Sequence, residues 1–183
     1  MSRFLVISLT AVALSLANIG CMGRLVSEGM GTVTGASGSF VEVQKVKDLS
    51  KYKGFKIEAI TAAPGLKLPA DMTALVRQNF NEAAAKRDLR PSGMPALKLA
   101  GEIIHYESGG FVDEAIGPLQ EVIVRTKLMD AATGEVLTEA NLVGRSKATT
   151  SGGVKNLAEG AGKGLRKWLK ECGLKGEEEK EER

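Results

Sequence analysis

Residues 119–148 read LQEVIVRTKLMDAATGEVLTEANLVGRSKA, and they carry the clearest secondary-structure signal in the sequence. Apolar and polar side chains alternate with a period of two residues from Glu121 to Leu128, which is typical of a strand with one buried face. The turn that follows contains Gly134, a residue that adopts a positive φ without strain. The pattern predicts strands over residues 119–130 and 135–148, paired as an antiparallel hairpin.

The rest of the chain predicts three further strands and two helices. Alternation of apolar and polar residues predicts strands over residues 40–46, 55–60 and 97–106. Apolar residues recur at helical spacing from Pro69 to the residue before Pro91, and again over residues 154–172, where Gly173 gives a stop signal. We therefore expect an α+β domain, in which two helices pack on a mixed or antiparallel sheet of about four or five strands.

The second predicted helix contains Gly160, Gly162 and Gly164, each of which costs about 1 kcal/mol relative to alanine inside a helix. We expect them to permit close packing against the sheet or the other helix; a hinge or a groove for a partner is the alternative. The basic residues of this segment form either a solvated surface or a contact for anionic lipid head groups or acidic cell-wall polymers. The candidate contacts among them are Lys163, Arg166, Lys167 and Lys170.

The N-terminus has the form of an export signal. Arg3 gives a positive start, and residues 4–19 form a mostly apolar run. The run is shorter than the roughly 20 residues that a transmembrane helix needs, and small residues follow it. We therefore interpret residues 1–20 as a signal peptide.

The signal ends in Asn18-Ile19-Gly20-Cys21, which resembles the lipobox of bacterial lipoproteins. The resemblance implies that Cys21 begins the mature chain and carries acyl chains such as palmitate, which hold such proteins on a membrane. Asn18 departs from the lipobox, which has an apolar residue there. Met22 in place of aspartate favours the outer membrane, facing the periplasm, over the inner membrane. The alternative is a plain secretory signal with a disulfide between Cys21 and Cys172.

The length of 183 residues fits a single domain after export. Residues 21–39 are rich in glycine and are predicted to tether a domain over residues 40–175 to its anchor. Residues 176–183 are predicted to form an acidic, disordered tail. The formal net charge of +3 is too small to indicate a nucleic-acid partner.

The sequence contains one histidine, His105, which by strand parity shares a face with Leu97, Leu99 and Ile103. We interpret it as a partly buried structural residue, because no serine or cysteine is identifiably paired with it. No CxxC motif or Cys/His cluster indicates a metal site. The glycines of residues 160–164 do not form a phosphate loop, because Leu157 stands where such a loop has glycine. We predict no catalytic residue, cofactor or metal.

The connection between the third and fourth predicted strands places Phe111 close to Asp113 and Glu114. An exposed apolar residue beside carboxylates, on a loop held by a rigid scaffold, is a candidate contact for a partner. The plain alternative is a long hairpin connection without a binding role.

Four short motifs, taken in their order along the chain, indicate a resemblance to a known family. They are Tyr52-Lys53-Gly54-Phe55, then Leu68-Pro69, then Gly101-Glu102-Ile103, and finally the Asp-Ala-x-Thr-Gly turn that begins at Asp130. With this order the sequence resembles a family of bacterial envelope lipoproteins known only as a domain of unknown function, over residues 41–169. The resemblance implies an α+β domain distantly similar to the periplasmic part of the curli secretion lipoprotein, and it implies no catalytic residues.

Together these features predict a lipid-anchored, non-enzymatic module of the cell envelope. Its partners would be the membrane and either another envelope protein or a cell-wall component, and it would serve envelope transport or organisation. The alternative from a different class is a periplasmic hydrolase that uses carboxylates of the 107–118 loop with His105.

Overall fold

The computed structural model describes residues 35–45, 48–107, 120–146 and 153–176. These residues form five strands and two helices. In chain order they are β1 (Ala36–Gln44), β2 (Gly54–Ala62), α1 (Met72–Ala85), β3 (Ala96–Glu107), β4 (Gln120–Asp130), β5 (Val136–Ser146) and α2 (Gly153–Glu171).

The strands form one sheet in the order β1-β5-β4-β3-β2, so that β1 and β2 lie at its two edges. The pairs β1–β5, β5–β4 and β4–β3 are antiparallel. The pair β2–β3 is parallel, and α1 provides the crossover that a parallel pair requires. The predicted α+β architecture, with a mixed sheet, is confirmed.

The β4–β5 hairpin is confirmed with the turn that the sequence predicts. Gly134 has a φ of 75° and donates its N–H to the carbonyl of Asp130 at 2.8 Å. The Asp130 carboxylate accepts hydrogen bonds from the backbone N–H groups of Ala132 and Thr133, at 2.8 and 3.1 Å. The aspartate is therefore a turn-forming residue, since its side chain replaces a backbone acceptor at the corner.

Both helices pack on the same face of the sheet. Helix α2 contacts β1, β5 and β4, while α1 contacts β2 and lies beside α2. Trp168, fully buried, is the largest side chain of the core between the two layers. Other large core residues come from both helices and from the central strands, and they include Phe80, Met72, Leu97, Leu99, Ile103, Leu128, Leu142, Leu157 and Leu165.

The ends of the helices agree only in part with the prediction. Helix α2 ends in the predicted Schellman-type stop: Gly173 has a φ of 81°, and Leu174 donates its N–H to the carbonyl of Leu169 at 3.1 Å. Helix α1 begins at Met72, whereas Pro69 was predicted as its first residue. The Pro69 carbonyl instead accepts the N–H of Met72 at 3.1 Å, in a turn that leads into the helix.

Strand β1 begins earlier than the sequence indicates. Residues 36–39, which were assigned to the tether, pair with β5 from Ala36 opposite Ser146 to Ser39 opposite Val143. The small residues of this segment gave no apolar alternation, yet the strand needs them to be small because α2 lies directly on it.

Three of the four glycines of α2, Gly160, Gly162 and Gly164, permit close packing, as predicted. A Cβ added at Gly160 would collide with the Ser37 carbonyl and lie 2.9 Å from Gly144 Cα. A Cβ at Gly164 would lie 2.5 Å from the carbonyl oxygen of Ser39. Gly162 faces the other way, and its added Cβ would lie 3.0 Å from the Asn79 side chain in α1. The glycines therefore bring one helix close both to the sheet and to its neighbouring helix.

Candidate functional site

Two of the predicted contact residues on α2 bind the edge of the sheet. The Lys163 ammonium donates to the Ala36 carbonyl at 3.0 Å and forms an ion pair with Glu159 at 2.9 Å. The Lys167 ammonium donates to the Gly38 carbonyl at 2.7 Å. Because β1 is an edge strand, these lysines occupy carbonyl groups that another strand could otherwise reach. Lys170 is exposed in the last turn of α2.

Arg166, the fourth predicted residue, lines a groove between α1 and α2 with a volume of about 380 Å³. Gly162 of α2 packs closely against Asn79 of α1. We call this space the interhelical groove. It is lined by Leu75, Gln78, Asn79, Glu82, Ala83 and Lys86 from the α1 side, and by Lys155, Glu159, Gly162, Lys163 and Arg166 from α2.

The interhelical groove has an excess of positive charge. Four of its lining side chains are basic and two are acidic. Glu159 is paired with Lys163, and Glu82 accepts a hydrogen bond from the Gln78 amide at 2.9 Å. Across the described residues, the side chains of Lys86, Lys155 and Arg166 have neither a hydrogen bond nor an ion pair. These three cations can therefore bind an external anion without breaking an existing contact.

The face of the sheet opposite the helices has a balanced charge. Cross-strand ion pairs cover it, the shortest being Arg145–Glu121 at 2.6 Å and Lys98–Glu58 at 3.0 Å. Lys127–Glu139 and Arg125–Glu102 form similar pairs at 3.3 and 3.9 Å. Because each of these charged side chains has a partner of opposite charge, this face has fewer unpaired charges than the interhelical groove.

The outer half of β1 exposes apolar side chains. Residues 41–45 are all exposed, including Val41 at 45% and Val43 at 58% of their accessible surface. The lysines of α2 reach only the other half of the strand, at Ala36 and Gly38. Among the residues that the structure describes, the edge of the sheet is thus protected at one end and exposed at the other.

His105 lies on the opposite face from the one predicted. A β-bulge between Ile103 and His105 shifts the register, so that Ile103 pairs with Val124 but His105 pairs with Ile123. The shift reverses the strand parity and turns His105 away from the core. Its imidazole is 45% exposed, and its Nε2 lies 3.8 Å from a carboxylate oxygen of Glu107. The prediction from strand parity that His105 is partly buried is therefore wrong.

Several predicted site residues lie outside the described residues, namely Cys21, Phe111, Asp113 and Glu114. Cys172 is described, and it is fully buried as a free thiol at the end of α2. Burial raises the pKa of this thiol to about 12. The prediction that Cys172 is a buried core residue is confirmed.

Within the described ranges, no three His, Cys, Asp or Glu side chains come close enough to hold a metal ion together. The helices that these ranges form are all too short or too polar to cross a membrane.

The interhelical groove is only partly visible in the sequence. The basic residues of α2 stand out in its helical pattern, and they led to Arg166. Lys86 lies at the C-terminal cap of α1, and neither helix carries a local signal that the two lie side by side. The groove residues from α1 could be found only from the tertiary structure.

Solved structures with a similar fold include PelC from Paraburkholderia phytofirmans. A PelC dodecamer aligns with a TM-score of 0.53 at 14% identity, over 74% of this chain and 96% of PelC. A dodecamer of a PelC variant aligns over the same shares with a TM-score of 0.52 at 17% identity. A candidate lipoprotein from Caulobacter crescentus gives a TM-score of 0.38 at 21% identity, over 62% of this chain and 90% of that protein.

The similarity to PelC shows a common fold. The sequence matches no family model and no curated protein. The α+β architecture implied by the resemblance to envelope lipoproteins is therefore confirmed, while the similarity to the curli secretion lipoprotein stays a prediction.

Proposed function

We propose that this protein is a lipid-anchored module of the cell envelope that acts by binding another envelope component and has no catalytic activity. Cys21 would carry the acyl chains, and the glycine-rich residues before β1 would link the anchor to the domain. The export signal and the Asn18-Ile19-Gly20-Cys21 motif support this location in the cell envelope. Met22 favours the outer membrane over the inner membrane.

The distribution of positive charge around α2 is the main support for a binding role. Lys163 and Lys167 are used within the fold, because they bind the carbonyl groups of β1. Arg166 has no such use and lies in the interhelical groove with two further cations that lack partners among the described residues. Even paired charges on a protein surface contribute little to the stability of the fold. Unpaired charges concentrated in one groove are therefore more typical of a site that binds a partner of opposite charge.

The hydrolase alternative receives less support from the position of His105. The imidazole and the Glu107 carboxylate are both about half exposed on the open face of the sheet. General acid–base catalysis is most effective where burial or neighbouring charges tune the pKa of the catalytic group. A His105→Ala variant tests the alternative: loss of a hydrolytic activity in a protein that remains folded would favour the enzyme.

Self-association is a second candidate property, which a specific observation favours. PelC, which shares the fold, is described as a dodecamer. The outer half of β1 exposes Val41 and Val43 on an edge strand, where backbone groups can pair with another strand. We propose that copies of this protein associate through this half of β1.

The test of the anchor is intact mass spectrometry and membrane fractionation of the protein expressed in a bacterial host, beside a Cys21→Ala variant. We expect the native chain in the membrane fraction, with a mass that begins at Cys21 and includes acyl groups. The variant should be released or left unprocessed. A native chain that is soluble and carries no acyl group would refute the proposal.

A further inference from the structure

The interhelical groove combines an open volume with unneutralised positive charge from α2 and from the C-terminal cap of α1. Arg166 is partly buried there, and its guanidinium has no hydrogen-bond acceptor among the described residues. Arginine is rarely buried without a partner, because its donors lose water on burial. Lys86 and Lys155 add two ammonium groups to the same groove.

We propose that the interhelical groove binds a phosphate group, with Arg166, Lys86 and Lys155 as its cationic ligands. This inference rests on the binding role proposed above and names the chemistry of the ligand. A phospholipid whose head group is a phosphomonoester, as in phosphatidic acid, and a soluble phosphorylated sugar both present this group to the protein.

Phosphate fits these side chains better than a carboxylate does. A carboxylate has two oxygens and one charge, which the planar guanidinium of Arg166 alone can satisfy in a bidentate contact. A phosphate group presents more acceptor oxygens and up to two charges, so that it can use the guanidinium and two ammonium groups together. The volume of about 380 Å³ lies within the range of small-ligand sites.

The acidic residues of the groove do not cancel this charge. Glu159 is already neutralised by Lys163, whose ammonium also binds the Ala36 carbonyl. Glu82 is the remaining carboxylate, and its contact is with the neutral Gln78 amide. One carboxylate thus faces three unpaired cations, which leaves the groove attractive to a dianion.

The test is calorimetric titration of the full processed protein, purified in a non-ionic detergent, with inorganic phosphate. We expect saturable binding that weakens as potassium chloride is raised, because salt screens exposed charges. Arg166→Gln and Lys86→Gln should each weaken binding about fivefold, the effect of losing one charged contact near a surface. Arg90→Gln is the matched control, since Arg90 is exposed and does not line the groove.

The source of the phosphate is resolved by two further probes, glucose 6-phosphate and dihexanoyl phosphatidic acid below its micelle concentration. Tighter binding of the lipid would identify a head-group site, and tighter binding of the sugar a soluble ligand; both support the proposal. Absence of saturable phosphate binding by folded protein, or an equal loss in Arg90→Gln, would overturn it. A soluble chain that binds phosphate would refute only the anchor, whereas an anchored chain that does not bind it would refute only the site.

Discussion

Replacing Gly160 by alanine should destabilise the fold, although the same change stabilises most helices. Alanine gains about 1 kcal/mol over glycine inside a helix. At Gly160, however, the new methyl group would collide with the Ser37 carbonyl and lie 2.9 Å from both Gly144 Cα and the Arg145 nitrogen. Carbon atoms prefer separations of about 3.5 to 4.0 Å, and every obstacle here is backbone, so α2 must move away from the sheet.

The change in the free energy of unfolding is the cost of the steric collision minus the gain in helix propensity. Overpacking costs about 1 to 3 kcal/mol, and a collision with backbone belongs at the upper end of that range. After the gain in helix propensity, we expect Gly160→Ala to lower the free energy of unfolding by about 2 kcal/mol. For a domain of this size the midpoint of thermal unfolding should fall by roughly 8 °C. Circular dichroism during thermal and urea unfolding measures both quantities.

Gly162→Ala is the matched control on the same helix. Its added Cβ would lie 3.0 Å from the Asn79 side chain and 3.1 Å from the Asn79 carbonyl oxygen. A shift of α1 by a few tenths of an ångström relieves this contact, so the helix-propensity gain should offset the cost to within about 1 kcal/mol. The packing argument is refuted if Gly160→Ala is as stable as the native protein, or if the two variants lose the same stability.

Three further predictions concern acid stability, thiol reactivity and self-association. Hydrogen bonds from the Tyr52 hydroxyl, at 2.7 Å, and from two backbone N–H groups lower the pKa of Asp130. Its contribution to stability is therefore present above the carboxyl's unfolded pKa of about 3.9 and is lost as the pH falls through the folded pKa. Urea unfolding between pH 6 and pH 3 should show a steeper loss for the native protein than for Asp130→Asn, and parallel losses would contradict this. Cys172 should react with a thiol reagent only after unfolding, because burial shields the thiol and raises its pKa to about 12. Rapid labelling of the folded protein, or a Cys172 disulfide in non-reducing mass spectrometry, would disprove this prediction. Val43→Lys should abolish self-association in native mass spectrometry while changing the free energy of unfolding by less than about 0.5 kcal/mol, and unchanged oligomers would count against the β1 edge.

Most of the fold could be predicted from the sequence because its signals are local. The β4–β5 hairpin depends on alternation and on one glycine turn, and the end of α2 depends on Gly173 and Leu174, all of which lie within a few residues of each other. The face of His105 could not be predicted, because the bulge that reverses it arises from pairing with β4. Strand parity holds only while the register does not shift.

The start of β1 was missed for a different reason. Its first residues are small and show no apolar alternation, so their sequence is typical of a flexible tether. Their size is required by Gly160 and Gly164 of α2, whose backbone lies on the strand. A glycine-rich segment can therefore form a close packing contact, and only its partner, more than a hundred residues later, distinguishes it from a tether.

The close approach of α2 to the sheet also connects the two candidate binding surfaces. Because Gly160 and Gly164 let the helix lie directly on β1, Lys163 and Lys167 reach the carbonyl groups of the strand edge on one side. Gly162 brings α1 close on the other side, where Arg166 enters the interhelical groove. Moving α2 outward would lengthen the lysine contacts and widen the groove together. Gly160→Ala should therefore weaken phosphate binding as well as stability, and Gly162→Ala, which leaves the distance between α2 and the sheet unchanged, should perturb the groove alone.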